Sequence, residues 1–421
     1  MRAYKPYKTY ILGLLLTLMA VPAKAGHRVL MPTVKSLQVT VNDDWLAQPV
    51  MQLDSRDVLN VSFDELSHDI HRYIYWLEPC DPDWTPTEGL FESDWLEGFN
   101  RLPLEDYEHS LNTTVLYTHY SLQLPNSQCR LRQSGNYRLH ITDECHDDED
   151  AVVVELRVVE PLMNVGIGVT TNTDIDFNLS HQQVSMTVNY NSVRVTNPSE
   201  QLQAFVMQNG REDNMKRNPQ PTYTTPRGLQ WEHSRNLIFE AGNEYHKFEV
   251  LDPTHTTMGL AEVFWDESER SFHAVPYPVE PRRSYLYDED ADGAFIIRNS
   301  DNMEIDYTSD YVLVHYLMKA ERPYDNARLF VNGRWTTEAP ETYTMTYDPV
   351  ARAYRATVLQ KLGYYNYQLL MADLDGTTHR VPEEGSFYQT ENRYQAFIYY
   401  KGTGARCWSL VGYQEIVFRA H

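Results

Sequence analysis

Few residues in this chain are spaced for chemistry, and each such group has a simpler reading beside it. Asp288-Glu289-Asp290-Ala291-Asp292-Gly293 carries the first half of a calcium loop. The twelfth position counted from Asp288 is Asn299, where such loops need a bidentate glutamate. An Asp-Gly hairpin turn between Tyr285-Leu286-Tyr287 and Phe295-Ile296-Ile297 accounts for the same residues and is the expected structure. His146-Asp147-Asp148-Glu149-Asp150 reads as a solvated acidic loop. His119, His140, His181 and His233 are dispersed, and none stands in a His-x-x-x-His or Gly-x-Ser-x-Gly context. Paired carboxylates are too abundant to point to glycoside cleavage, and no glycine loop is placed to cradle phosphate. No catalytic, cofactor-binding or metal-ligating residue is therefore assigned, and no enzyme activity is expected.

Four cysteines remain: Cys80, Cys129, Cys145 and Cys407. Cys129 and Cys145 flank a predicted strand turn and form the expected disulfide, while the spacing matches no zinc pattern. Trp335, Tyr364, Tyr365 and Tyr367 could build a sugar-stacking platform, but aromatic residues dominate sheet interiors and core packing is the preferred reading.

The ends and the charge set the compartment and narrow the partners. Arg2, Lys5 and Lys8 precede an apolar run from Ile11 to Val21, too short for a spanning helix of about 20 residues. Ala23-Lys24-Ala25 supplies a small-x-small cleavage site, so residues 1–25 read as a signal peptide with Gly26 as the mature start. The chain carries 36 Lys and Arg against 59 Asp and Glu, a net charge of −23. Removing the leader takes away basic residues only. That balance argues against nucleic acid or an anionic membrane surface as partner, because both require clustered positive charge. No later stretch is apolar enough to insert into a membrane.

The elements around these residues read as β-strands. Leu59-x-Val61-x-Phe63 alternates with a period of two, as do Val34 to Val41, Val165 to Val169, Gln183 to Val188, Gln203 to Met207 and Tyr354 to Val358. Gly89 to Phe99 is the best helical candidate, and Asn332-Gly333 is a hairpin signal. About 100–200 residues per domain predicts two to four domains. The expected division is an amino-terminal sandwich over 26–160, a second β module over 161–300 and a carboxy-terminal module over 301–421. The fold class is all-β, as tandem antiparallel immunoglobulin-like sandwich modules.

One segment is out of scale with the short strands around it. Between Gln208-Asn209 and Phe239 runs a long polar stretch containing Lys216, Arg217, Arg227 and Arg235, basic residues in an acidic protein. Long connections in compact domains are functional or disordered. This loop is expected at an inter-module seam or a partner surface, and replacing residues 214–228 by a Gly/Ser linker is expected to weaken association without unfolding the chain.

Several motifs, in order, resemble one family. They are Phe63-Asp64-Glu65-Leu66, Cys80-Asp81-x-Asp83-Trp84, Thr118-His119-Tyr120, Leu124-Pro125-Asn126, Ser134-Gly135-Asn136-Tyr137, Gln208-Asn209-x-Arg211, Phe239-x-x-Gly242-Asn243-Glu244 and Asp292-Gly293-x-Phe295. The set resembles the type IX secretion system plug proteins of Bacteroidota over nearly the whole mature chain. It departs from the family pattern at Pro79, at Asp290-Ala291-Asp292 and at Tyr245-His246-Lys247. The resemblance implies a periplasmic protein, peripherally associated with the outer membrane, that seals the periplasmic side of the translocon β-barrel at rest. The last module is similar to early-set domains found beside glycogen-active enzymes, so the alternative is a periplasmic carbohydrate-binding protein using that module.

Overall fold

Alternation along the strands decides which faces are buried. In Leu59–Glu65 the side chains of Leu59, Val61 and Phe63 point inward while Asn60 and Ser62 are half-buried, and Thr118–Leu124 pairs with it in register, Phe63 opposite Tyr120. The computed structural model describes residues 26–146 and 148–420, so the expected signal peptide lies outside the described residues. Strands Val34–Val41, Leu59–Glu65, Thr118–Leu124 and Tyr107–His109 form one sheet. It faces a second sheet built from Tyr73–Cys80, Gly135–Asp143 and Glu149–Val159 across a core that includes Phe63, Tyr73, Leu139 and Val154.

That second sheet does not stop at the domain edge. Val159 pairs in parallel with Leu410, joining Glu149–Val159 to Ser409–Phe418, which continues into Asn392–Tyr400 and Leu202–Gln208. Phe205, Met207, Phe397, Tyr399 and Leu410 fill a small apolar cluster with Val159 at the join. The middle domain packs this half of the sheet against Asn164–Thr170, His181–Asn189, Gly228–Trp231 and Ile238–Glu240, with Trp231, Val206 and Tyr394 fully buried between them.

The division expected near residue 300 is corrected by this pairing. Residues 392–418 belong to the middle domain with Leu202–Gln208, not to a carboxy-terminal module. His246–Val250, expected in the second module, pairs with Gly363–Asp373 in a different sheet. The strands from His246–Val250 to Thr378–Arg380 enclose their own core around Phe248, Tyr316, Trp335 and Leu369. They form a domain inserted between two strands of the middle one. The chain is all-β throughout, with helices of single turns only among the described residues.

Local expectations are corrected where side chains compete with turn propensity. Gly89 to Phe99 shortens to a helix over Glu92–Trp95 that runs directly into strand Leu96–Gly98. Asn332-Gly333 does not make a two-residue hairpin: Ala327–Asn332 pairs with Thr344–Asp348 through a longer connection. Gly333 is required instead for close approach, since a Cβ there would lie 2.4 Å from the Trp335 indole nitrogen and 2.7 Å from the Asn366 carbonyl.

Candidate functional site

The residues that carry the sequence motifs converge on the seams between domains. Asp64, on strand Leu59–Glu65 of the amino-terminal domain, is fully buried. Its Oδ2 accepts from Lys361 Nζ and from the Tyr311 hydroxyl, both at 2.6 Å and both from the inserted domain. Its Oδ1 lies 2.6 Å from His119 Nδ1. Burial alone would raise this carboxyl, but Lys361 and His119 outweigh it and hold the pKa below the usual value. The Lys361 ammonium also sits 4.2 Å over the ring of Tyr117, whose hydroxyl donates to the Ser309 carbonyl at 2.8 Å. Thr114 and Val115 donate their backbone N–H groups to Asp310 across the same seam.

A second seam joins the amino-terminal and middle domains. Arg157 is buried between the rings of Trp84, at 4.9 Å, and Phe397, at 4.6 Å, and it pairs with Glu212. Beside it Tyr399 donates to Asn136 Oδ1 at 2.6 Å. A third seam closes the inserted domain onto the middle one. Across it Asn243 bonds the Glu384 carbonyl and Arg393 faces Asp292 at 3.4 Å, while within the middle domain the Asn209 side chain bonds Asn392 and the Arg393 amide, and Arg393 faces Glu415 at 2.6 Å. Gly242 (φ 68°) passes so close to Arg380 that a Cβ would lie 2.0 Å from its guanidinium carbon. The inserted and amino-terminal domains also meet where Arg334 donates to the Leu46 carbonyl at 2.8 Å.

The Asp288–Gly293 stretch is part of this third seam rather than a hairpin tip. Tyr285 to Tyr287 is not a strand, and Phe295–Ile297 pairs instead with Gly363–Asp373. Asp290 and Asp292 turn inward, Asp290 accepting the Tyr245 amide and Asp292 facing Arg393.

The other expected groups fall in different places. Among the described residues all four cysteines are free. Cys129 is buried on Cys129–Leu131, ahead of Gly135–Asp143, and exposed Cys145 follows that strand. Both thiols are free, so the expected Cys129–Cys145 disulfide is not formed. Trp335, Tyr365 and Tyr367 are buried in the inserted domain's core, which leaves no stacking platform there.

The basic loop is largely folded. Lys216–Arg217 adds an edge to Leu202–Gln208, and Tyr223–Thr225 pairs with Gly228–Trp231. Lys216 packs 5.1 Å over Phe239, and Arg217 lies 3.5 Å from Glu212 at the second seam. Arg227 is exposed at a hairpin tip, and Arg235 donates to the Asp174 carbonyl at 3.4 Å. Excising 214–228 would remove two strands and the Pro219 carbonyl that accepts from the Trp231 indole at 2.8 Å. It is therefore not the neutral cut the sequence implies.

Arg235 leads to a surface the sequence did not single out. The loop it touches exposes Ile175, Phe177 and Leu179, and the Leu179 carbonyl accepts the Tyr388 amide at 2.9 Å. Phe387 in turn lies 6.2 Å from Tyr285, ring to ring, and the next residues, Leu286 and Tyr287, are exposed. Exposed apolar side chains thus stand on both sides of the junction of the middle and inserted domains. No periodicity marks them, because they come from three separate loops. Exposed apolar groups gathered in this way mark interaction sites.

Residues 34–160 match the family model described as the Type 9 secretion system plug protein 1st domain. The chain belongs to the type IX secretion system plug family. The plug-family fold is also shared with a solved structure: a hypothetical protein from Parabacteroides merdae ATCC 43184, determined at 2.30 Å, is 32% identical, with a TM-score of 0.89. The match covers 93% of this chain and 99% of that one. No curated protein matches the chain. Plug-family membership associates the chain with secretion machinery in the cell envelope. Among the described residues no helix is long and apolar enough to cross a membrane.

The strap that presents Leu286 and Tyr287 is tied down by a titrating group. The Tyr285 hydroxyl donates to Glu244 Oε1 at 2.5 Å, and burial raises the Glu244 carboxyl from 4.5 to about 7. The folded chain therefore keeps this proton where the unfolded chain has released it. The group's contribution to stability is complete below pH 4.5 and is lost as pH rises to about 7. Glu244→Gln is expected to remove about 1–2 kcal/mol of that pH dependence, allowing for solvent screening of a group that is not fully enclosed. Urea midpoints at pH 5 and pH 7.5 measure it; identical pH slopes for wild type and variant would refute the assignment.

Proposed function

We propose that this chain is a periplasmic plug that catalyses no reaction and seals the periplasmic side of the outer-membrane type IX translocon β-barrel in its resting state. The observation that carries the proposal is the plug-family match over 34–160. The geometry supports it in two ways. Three all-β bodies, joined by buried polar seams, two of them through one continuous sheet, make a wide body that can cover an opening without hinging. The apolar surface of Ile175, Phe177, Leu179, Leu286 and Tyr287 supplies a face to bury against the barrel rim, bordered by His233 and Arg235.

Affinity-tagged chain expressed in its own envelope is expected to retain an outer-membrane barrel through purification. Combining Phe177→Asp with Leu286→Asp should reduce the recovered barrel at least tenfold while leaving the unfolding midpoint unchanged, because both side chains are exposed. Failure of the wild-type chain to retain any barrel would overturn the plug assignment. Full retention by the double variant would overturn only the choice of surface.

A further inference from the structure

We propose that His71, Asp143 and His146 form a binding site for a zinc-class divalent cation on the amino-terminal domain. Gly135–Asp143 pairs with Tyr73–Cys80 so that Asp143 stands opposite Tyr73, which brings His71, two residues upstream, to the end of the strand. A 3-10 turn over Glu144–His146 then folds His146 back onto the same point. Asp143 Oδ2 lies 2.8 Å from His71 Nδ1 and 2.7 Å from His146 Nδ1, and the ligand atoms of all three residues lie within 4.8 Å of one another. The two imidazoles are near parallel, 7° apart with centroids at 6.1 Å.

The donor set selects the ion. Two imidazole nitrogens and one carboxylate oxygen suit zinc, copper or nickel, whereas calcium and magnesium want oxygen ligands. Around a tetrahedral zinc with bonds of about 2.0–2.1 Å, neighbouring donors sit about 3.3 Å apart. Each imidazole need therefore withdraw from the carboxylate by only about 0.5 Å to admit the ion. His146 is exposed, so one coordination position faces solvent for water.

The surroundings are built to orient the ligands. The second Asp143 oxygen accepts the Cys145 amide at 2.8 Å, which fixes the carboxylate plane. With Nδ1 turned to the metal, His71 presents Nε2 to Ser67 Oγ at 3.1 Å and to Glu65 Oε2 at 3.6 Å. Ser67 donates in turn to Glu65, so the carboxylate orients the imidazole through a hydroxyl, an outer partner of the kind that sets tautomer and ring orientation in metal sites. Glu65 is fully buried, and its Oε1 makes no hydrogen bond among the described residues. The site thus brings two buried carboxyl groups and two imidazoles together, a donor set whose negative charge a divalent cation would offset.

The test uses residues 26–421 freed of metal with chelator and titrated with zinc chloride, with cobalt(II) absorption as a second readout. One equivalent is expected to bind with micromolar or tighter affinity, and cobalt is expected to give the intense visible bands of a tetrahedral nitrogen–oxygen site. His146→Ala, at an exposed position, should weaken zinc binding at least tenfold and abolish the zinc-induced rise in unfolding midpoint. His233→Ala, at another exposed histidine, should change neither. Absence of saturable binding, or wild-type affinity in both His71→Ala and His146→Ala, would overturn the site and leave the histidines as hydrogen-bond partners of Asp143 only.

Discussion

Lys361→Met is expected to destabilise the chain by about 3–5 kcal/mol at pH 7, the range for removing one partner of a buried ion pair. Lys361 and Asp64 are each almost completely enclosed, so the carboxylate left behind has no route to water. The companion variant Asp64→Asn with Lys361→Met should recover a substantial part of the loss. The amide is neutral and can still accept from His119, while the Tyr311 hydroxyl keeps Ser36 Oγ at 2.8 Å. The sign of the pH effect follows from the depressed Asp64 carboxyl. In the wild type its contribution is present above the ordinary aspartate pKa of about 3.9 and is lost only on further acidification. Without Lys361 burial raises that carboxyl, so the gap between variant and wild type narrows from pH 7 to pH 5. Urea unfolding of the three chains at both pH values is the measurement. A loss below about 1 kcal/mol for Lys361→Met would show that the pair contributes no more than an exposed one.

The next largest effect is expected at Arg157. Arg157→Leu should cost about 2–4 kcal/mol, less than Lys361→Met because Glu212 keeps Arg217 at 3.5 Å. Arg157→Lys should recover little. An ammonium cannot stack its plane between Trp84 and Phe397 while pairing with Glu212. The diagnostic readout is cooperativity: calorimetry should show one transition for the wild type and two for Arg157→Leu, as the amino-terminal domain melts apart from the rest. A single transition shifted to lower temperature would place the coupling in the shared sheet alone.

Strand content was legible from period-two patterns where a strand buries mainly one face, as in Leu59–Glu65 and Ala353–Lys361. The amino-terminal core closes among residues near in sequence, Val29 to Val158. The inserted domain was not legible. Nothing in Leu202–Gln208 announces that its partner is Asn392–Tyr400, because sheet pairing is chosen by packing that periodicity does not encode. The motif residues were found as a set, but their role was hidden. Asp64, His119, Asn209 and Asn243 look like surface polar residues until the domains that enclose them are in place. His71 and Asp143 escaped notice as a pair because 72 residues separate them.

The insertion also dictates an order of events. As the chain emerges amino-terminus first, Leu202–Gln208 must wait, with Phe205 and Met207 uncovered, until nearly two hundred further residues have followed. The amino-terminal and inserted domains can each close early, while the sheet between them stays open on one edge until Asn392–Tyr400 and Ser409–Phe418 arrive. An unpaired edge beside buried aromatics is an aggregation hazard for as long as it lasts. Loss of Asn392–Tyr400 and Ser409–Phe418 would leave that edge permanently open, so the arrival of these two strands decides whether the middle sheet is assembled.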